Sequence, residues 1–145
     1  MIESMLISSL LGKEFISQTI TNTTKTTYSS ISDLLSNKEF KFKNLIEKLD
    51  INCKIKIIDK LILEISDKKL HQNDTIHLAL IELHQIIDTI NIELEEIKNE
   101  INEYNNYWFK LFYTNPYTKL IEKLTIHNQI MEKRLDLLLK LLLIP

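Results

Sequence analysis

Four histidines and one cysteine are the side chains best suited to chemistry in this 145-residue chain. His77 and His84 stand seven residues apart on one helical face, with Asp74 and Asp88 a turn outside them. At that spacing two imidazoles lie about 10 Å apart along a helix, too far to share a metal whose bonds to nitrogen measure roughly 2.0 to 2.1 Å. His71 and His127 have no partner at ligand spacing, and neither an HExxH nor a paired ExxH pattern is present. All four are expected to be surface or boundary histidines. Cys53 is expected to pack as a small apolar side chain rather than to serve as a nucleophile. As the single cysteine it forms no disulfide within the chain and fits a reducing compartment. GxSxG, phosphate-loop and kinase patterns are missing, as is any pair of carboxylates in apolar surroundings that would separate an acid from a base. The expectation is a non-enzyme with no catalytic or metal-binding residues, no cofactor and no small-molecule substrate.

Composition points the same way. One Gly (Gly12), one Ala (Ala79), two Pro (Pro116, Pro145) and no Val stand against 24 Ile and 12 Asn. So few glycines argue against tight strand turns and backbone phosphate cradles, and hence against dinucleotide folds and most β-barrels. The Ile and Asn usage matches an AT-rich genome. A formal charge of -2 gives no whole-chain reason to expect nucleic acid as a partner. The start, MIESMLISSLLGK, is apolar but carries Glu3 with no basic residue ahead of it, unlike a secretion signal. No run approaches the roughly 18 apolar residues of a membrane span, so a soluble intracellular protein is expected.

The elements follow from periodicity. Ile76, Leu80, Leu83, Ile87, Ile90, Leu94, Ile97, Ile101, Tyr104, Trp108 and Leu111 are separated alternately by four and three residues, a heptad seam. With Asp74 or Thr75 as N-cap, it predicts a helix of roughly 38 residues, about 57 Å long. Leu78, Ala79, Ile81 and Ile86 widen its first part. A second seam runs through Tyr117, Ile121, Leu124, Asn128, Met131, Leu135, Leu138 and Leu142, after a short turn in which Asn115 can cap and Pro116 can open the helix. Pairing the two about Asn115 places Ile101 beside Asn128 and Glu96 beside Arg134, and leaves residues 74–87 to another partner. That partner is expected from helices in residues 1–70. Ile51, Ile55, Ile58, Leu61, Ile62 and Ile65 read as helix rather than strand, and Ser36 to Glu39 as a capping box ahead of Leu45, Ile46 and Leu49. Ile2, Met5, Leu6, Leu10, Ile16, Ile20, Ile31, Leu34 and Leu35 share one stripe. Ten of the sixteen residues from Ser17 to Ser32 are Ser or Thr, however, so this helix depends on packing.

The fold class that results is all-α: one domain over residues 1–145, an elongated helical bundle built on a long antiparallel, coiled-coil-like hairpin of residues 74–113 and 117–143. Charge is layered along it. Residues 71–103 hold one basic and eight acidic side chains, while 37–70 and 104–145 are each basic by three. Solvated faces account for most of this, and partner selection between helices is the sharper reading.

Candidate interaction sites come from apolar side chains in excess of the seams. The stretch YNNYWFKLFYTNPY holds seven of the chain's eleven aromatic residues. Tyr104, Trp108 and Tyr117 are expected to close the hairpin tip, with Tyr107 and Phe112 flanking it and Phe109 and Tyr113 facing outward. Leu137 and Leu141 lie in a C-terminal run that is apolar on nearly every face, to be covered by first-half helices, another subunit or a membrane surface. Asn128, the one polar seam position, serves either a hydrogen bond at a loose layer or the helix register.

Tyr107-Trp108-Phe109, the turn at Pro116 and Tyr117, then Leu120, Leu124 and Arg134-Leu135-Asp136-Leu137-Leu138 together resemble small helical proteins of giant DNA viruses. The likeness spans roughly residues 76–143 and implies no activity. It does imply a viral setting, in host cytoplasm or virion. The functional expectation is a non-enzymatic interaction or structural protein that self-associates with other protein chains, most simply as a homo-oligomer. A membrane-surface or host-protein binder presenting Met1 to Leu11 or Leu135 to Ile144 is the alternative.

Overall fold

Among the described residues five α-helices carry these stripes: α1 (Ile16–Ser36), α2 (Lys43–Leu49), α3 (Ile51–Asp67), α4 (Asp74–Asn106) and α5 (Tyr117–Leu142), with a 3-10 turn at Leu70–Gln72. The structure, a computed structural model, describes residues 12, 13, 15–38, 40–106 and 117–144, without the side chains of 104–106. The described residues are helical with no strand, and the four long helices pack together. α4 is central, lying against α5 on one side and α1 on the other, while α3 packs on α1 and touches α5.

Both seams face inward. Every seam position from Ile76 to Ile101 is buried, as is every seam position from Tyr117 to Leu138; Leu142 is half-buried. Leu80, Leu83, Ile87, Ile90, Leu94 and Ile97 are fully enclosed, and each such side chain contributes about 1.5–3 kcal/mol relative to exposure. Ala79 and Ile86 widen the buried stripe, but Leu78 stays 58% exposed. On α3 the buried face is Ile51, Ile55, Ile58, Ile62 and Ile65. Cys53 lies off that face and is exposed, contrary to the expectation of a packed thiol.

α1 holds its stripe through the Ser/Thr stretch. Ile16, Ile20, Thr24, Thr27, Ile31 and Leu34 are all buried at helical spacing, with hydroxyls where apolar groups would otherwise stand. The Thr24 hydroxyl donates to the Thr21 carbonyl at 2.9 Å and that of Thr27 to the Thr23 carbonyl at 2.9 Å, so the helix itself accepts from the groups that weaken it.

Three boundaries differ from expectation. Ser36 ends α1 and donates back to the Asp33 carbonyl at 3.0 Å instead of capping a helix ahead, so α2 opens only at Lys43. Asn73 is the cap of α4: its Oδ1 accepts from the amides of Thr75 at 2.9 Å and Ile76 at 3.1 Å, leaving Asp74 in the first turn. The α4–α5 register is the largest change. Glu96 pairs with Lys123 at 3.5 Å, Glu93 with His127 at 2.7 Å and Glu82 with Arg134 at 3.6 Å. Arg134 thus meets α4 about four turns before the expected Glu96. A slide by whole turns keeps the same faces together, so seam spacing cannot choose between the two. In the observed register α5 runs beside α4 back to Thr75, and residues 74–87 are not left to first-half helices alone.

Candidate functional site

The interior carries a line of polar contacts between the helices. Ser30 on α1 donates to Glu95 at 2.9 Å, Thr23 shares a 3.1 Å contact with His84 Nε2, and Thr24 bonds Asp59 of α3. These hydroxyls tie α1 to both helices that flank it. Burial holds the His84 imidazole below its ordinary range, against the pull of Asp88, so it packs as a neutral ring. His77 is lowered chiefly by burial and secondarily by Lys13, while His71 is buried. Nδ1 of His71 and of His77 is buried without a hydrogen-bond partner among the described residues.

Glu93 is the most unusual group. It is buried between α4 and α5, where Oε1 sits 2.7 Å from His127 Nδ1 and Oε2 meets no partner among the described residues. Burial raises its carboxyl above the usual carboxylate range, outweighing His127 and Lys123, which pull the other way. A carboxylate beside an imidazole can pass a proton. Among the described residues no cluster of three His, Cys, Asp or Glu could hold a metal ion.

Asn128 is buried and bonded, though not beside Ile101. Its Nδ2 donates to the Leu49 carbonyl at 3.1 Å, and its Oδ1 accepts from Lys54 Nζ at 3.1 Å. The same ammonium donates to the Leu49 carbonyl at 2.7 Å and pairs with Glu132. One residue of the α5 seam therefore holds the α2–α3 corner, where Asp50 turns the chain at φ 54°.

Tyr117 is buried at the start of α5, and its ring neighbours are Phe40 at 6.0 Å, edge-on, and Phe42 at 5.4 Å. Phe40 and Phe42 alternate with Lys41 and Lys43 but lie on none of the helical stripes, and the sequence reading gave them no role. Tyr107, Trp108, Phe109, Phe112 and Tyr113 lie outside the described residues, as does the side chain of Tyr104. Leu137 is 53% exposed and Leu141 half-buried.

Apolar grooves lie on either side of α5. One, of about 460 Å³, lies between α2 and α5 and is lined by Leu45, Ile121, Thr125 and Ile126. The other lies between the start of α4 and the end of α5, with Leu78, Ala79, Leu137 and Leu141 as its floor and Glu82 and Arg134 at its rim. Glu93, Ser30, Thr23, Thr24 and Lys54 were not singled out from sequence. The signal for Thr24 was available, since it continues the spacing of Ile16 and Ile20.

No protein-family model matches the chain, and no solved structure matches it. It is similar to an uncharacterised protein of Acanthamoeba polyphaga mimivirus, 28% identical over 148 aligned positions that take in 84% of this chain and 72% of the relative. The likeness to giant-virus proteins thus extends beyond residues 76–143.

Proposed function

We propose that the chain is a non-enzymatic helical interaction or structural protein that self-associates, and that it acts in a host-cell or virion setting. The observation that carries this reading is the apolar surface left outside a well-filled core. Leu45 and Ile126 flank one groove and Leu78 and Leu137 the other, all four exposed. Exposed leucines on one face of a helix contribute little to a lone bundle and much to an interface. The candidate interface also includes Tyr107, Phe109, Phe112 and Tyr113, which stand next in sequence to the Tyr117 end.

The scaffold is read as an elongated bundle on an antiparallel, coiled-coil-like hairpin. Support comes from two seams that alternate four and three and from cross-pairs whose numbers rise on α4 as they fall on α5. Asn128 sets register in this reading by tying α5 to Leu49 and Lys54 of the same chain. A second reading, a membrane-surface binder, is favoured by Leu139, Leu143 and Ile144, exposed together at the end of the chain. No helix among the described residues is long and apolar enough to cross a membrane.

Light scattering with and without anionic vesicles separates the two. Self-association that is independent of lipid and weakened by Ile126→Lys is expected. A monomer that floats with vesicles would overturn the reading.

A further inference from the structure

The groove between the start of α4 and the end of α5 has a floor of leucines that no described helix covers. It measures about 210 Å³ and shares Thr75 and Leu141 with a second hollow of about 400 Å³ that adds Leu70, Ile76 and Ile144. Its rim charges, Glu82 and Arg134, are paired to each other at 3.6 Å, so the lining favours an apolar occupant over a charged one.

The chain enters the described region at this same end. Lys13 Nζ donates to the Gln72 carbonyl at 2.9 Å and pairs with the Asp74 carboxylate, and the Phe15 amide donates to the Gly12 carbonyl at 3.0 Å. Gly12 is therefore held beside the first turn of α4. Eleven residues stand before it, MIESMLISSLL, of which Ile2, Met5, Leu6, Ile7, Leu10 and Leu11 are apolar and Glu3 is the sole charged side chain.

We infer that residues 1–11 seat in this groove of their own chain, packing on Leu78, Leu137 and Leu141. Reach permits it: eleven residues span up to roughly 36 Å at 3.3 Å each, whereas Thr75 to Glu82 covers about 10 Å of helix. A segment tethered this closely also meets its own groove at an effective concentration on the order of millimolar, ahead of a second copy in dilute solution. The assignment goes beyond self-association as such. It covers one apolar face from within and leaves the Leu45–Ile126 groove as the surface open to another copy.

The test uses the full chain with Cys53→Ser. Met5→Cys is combined with Leu137→Cys, or with Leu63→Cys on the outer face of α3 as control, since both positions are exposed. With a short bifunctional thiol reagent in dilute solution, cross-linking within the monomer is expected at least ten-fold faster for the Leu137 pair. Equal rates for the two pairs would overturn the inference. So would cross-links formed only between chains and growing with concentration, which give the groove to a second copy. Absence of the Leu137 cross-link in solution, together with flotation on phosphatidylserine vesicles, would also overturn it and give the groove to lipid. Light scattering on the same samples reports self-association separately, so failure of either reading is visible without the other.

Discussion

Replacing Asn128 by Ala removes two hydrogen bonds at the point where α5 meets the α2–α3 corner. The bond to the Leu49 carbonyl is neutral, worth about 1 kcal/mol, and the one from the Lys54 ammonium is charge-assisted, worth about 1.5–3 kcal/mol. Neither partner is orphaned: Lys54 keeps the Leu49 carbonyl at 2.7 Å and its pair with Glu132. The net loss is therefore expected just below the lower end of the sum, about 2 kcal/mol. With an unfolding entropy of roughly 2.1 cal/mol/K per residue, that is a fall in Tm of about 7 °C for a chain of this length. Thermal melts of Asn128→Ala, Lys54→Met and the double variant give the cycle, with a coupling of about 1.5 kcal/mol expected. A Tm change under about 2 °C for Asn128→Ala, or additive losses in the cycle, would refute the account. Asn128→Leu, scored for oligomeric state as well, addresses register: an altered state supports it and an unchanged state counts against it.

Glu93 should make the fold pH-sensitive. Its native carboxyl titrates above the ordinary 4.5 because it is buried, so its contribution is complete below that pH and is lost as pH rises through the raised value. Glu93→Gln cannot ionise, and its urea midpoint should fall less between about pH 4 and pH 8 than that of the parent; parallel profiles would contradict this. Leu83→Ala should lower stability by about 2–5 kcal/mol in denaturant melts, against no more than about 0.5 kcal/mol for Leu63→Ala on the outside of α3. Trp108→Ala is expected to destabilise by roughly 3–5 kcal/mol, while Phe109→Ala leaves folding nearly intact and weakens association. Equal melting losses for both would refute that division.

Much of the fold was legible because burial and spacing are local properties. Every described seam position through Leu138 is buried, since a side chain's face on a helix follows from its number alone. The same rule missed Phe40 and Phe42, which stand between helices and acquire partners only when Tyr117 arrives from far along the chain. It also misread Ser36, whose type suits either end of a helix and whose role depends on which carbonyl lies within reach. At the candidate site, the Ser/Thr stretch of α1 was visible as composition. Its pairing with His84, Asp59 and Glu95 depends on which helices surround it.

By itself the amino-acid sequence determined an all-helical chain, the inward face of each long helix, and an acidic central helix beside a basic one. Only the tertiary structure decided the register of α4 on α5, the burial of Glu93 against His127 and the placing of an apolar groove on either side of α5. The physical reason is that a heptad seam repeats: sliding one helix by whole turns leaves the apolar contacts nearly equal in number. The choice falls to the few contacts that do not repeat, such as Arg134 with Glu82 and Asn128 with Leu49, and these exist only once distant segments have been brought together.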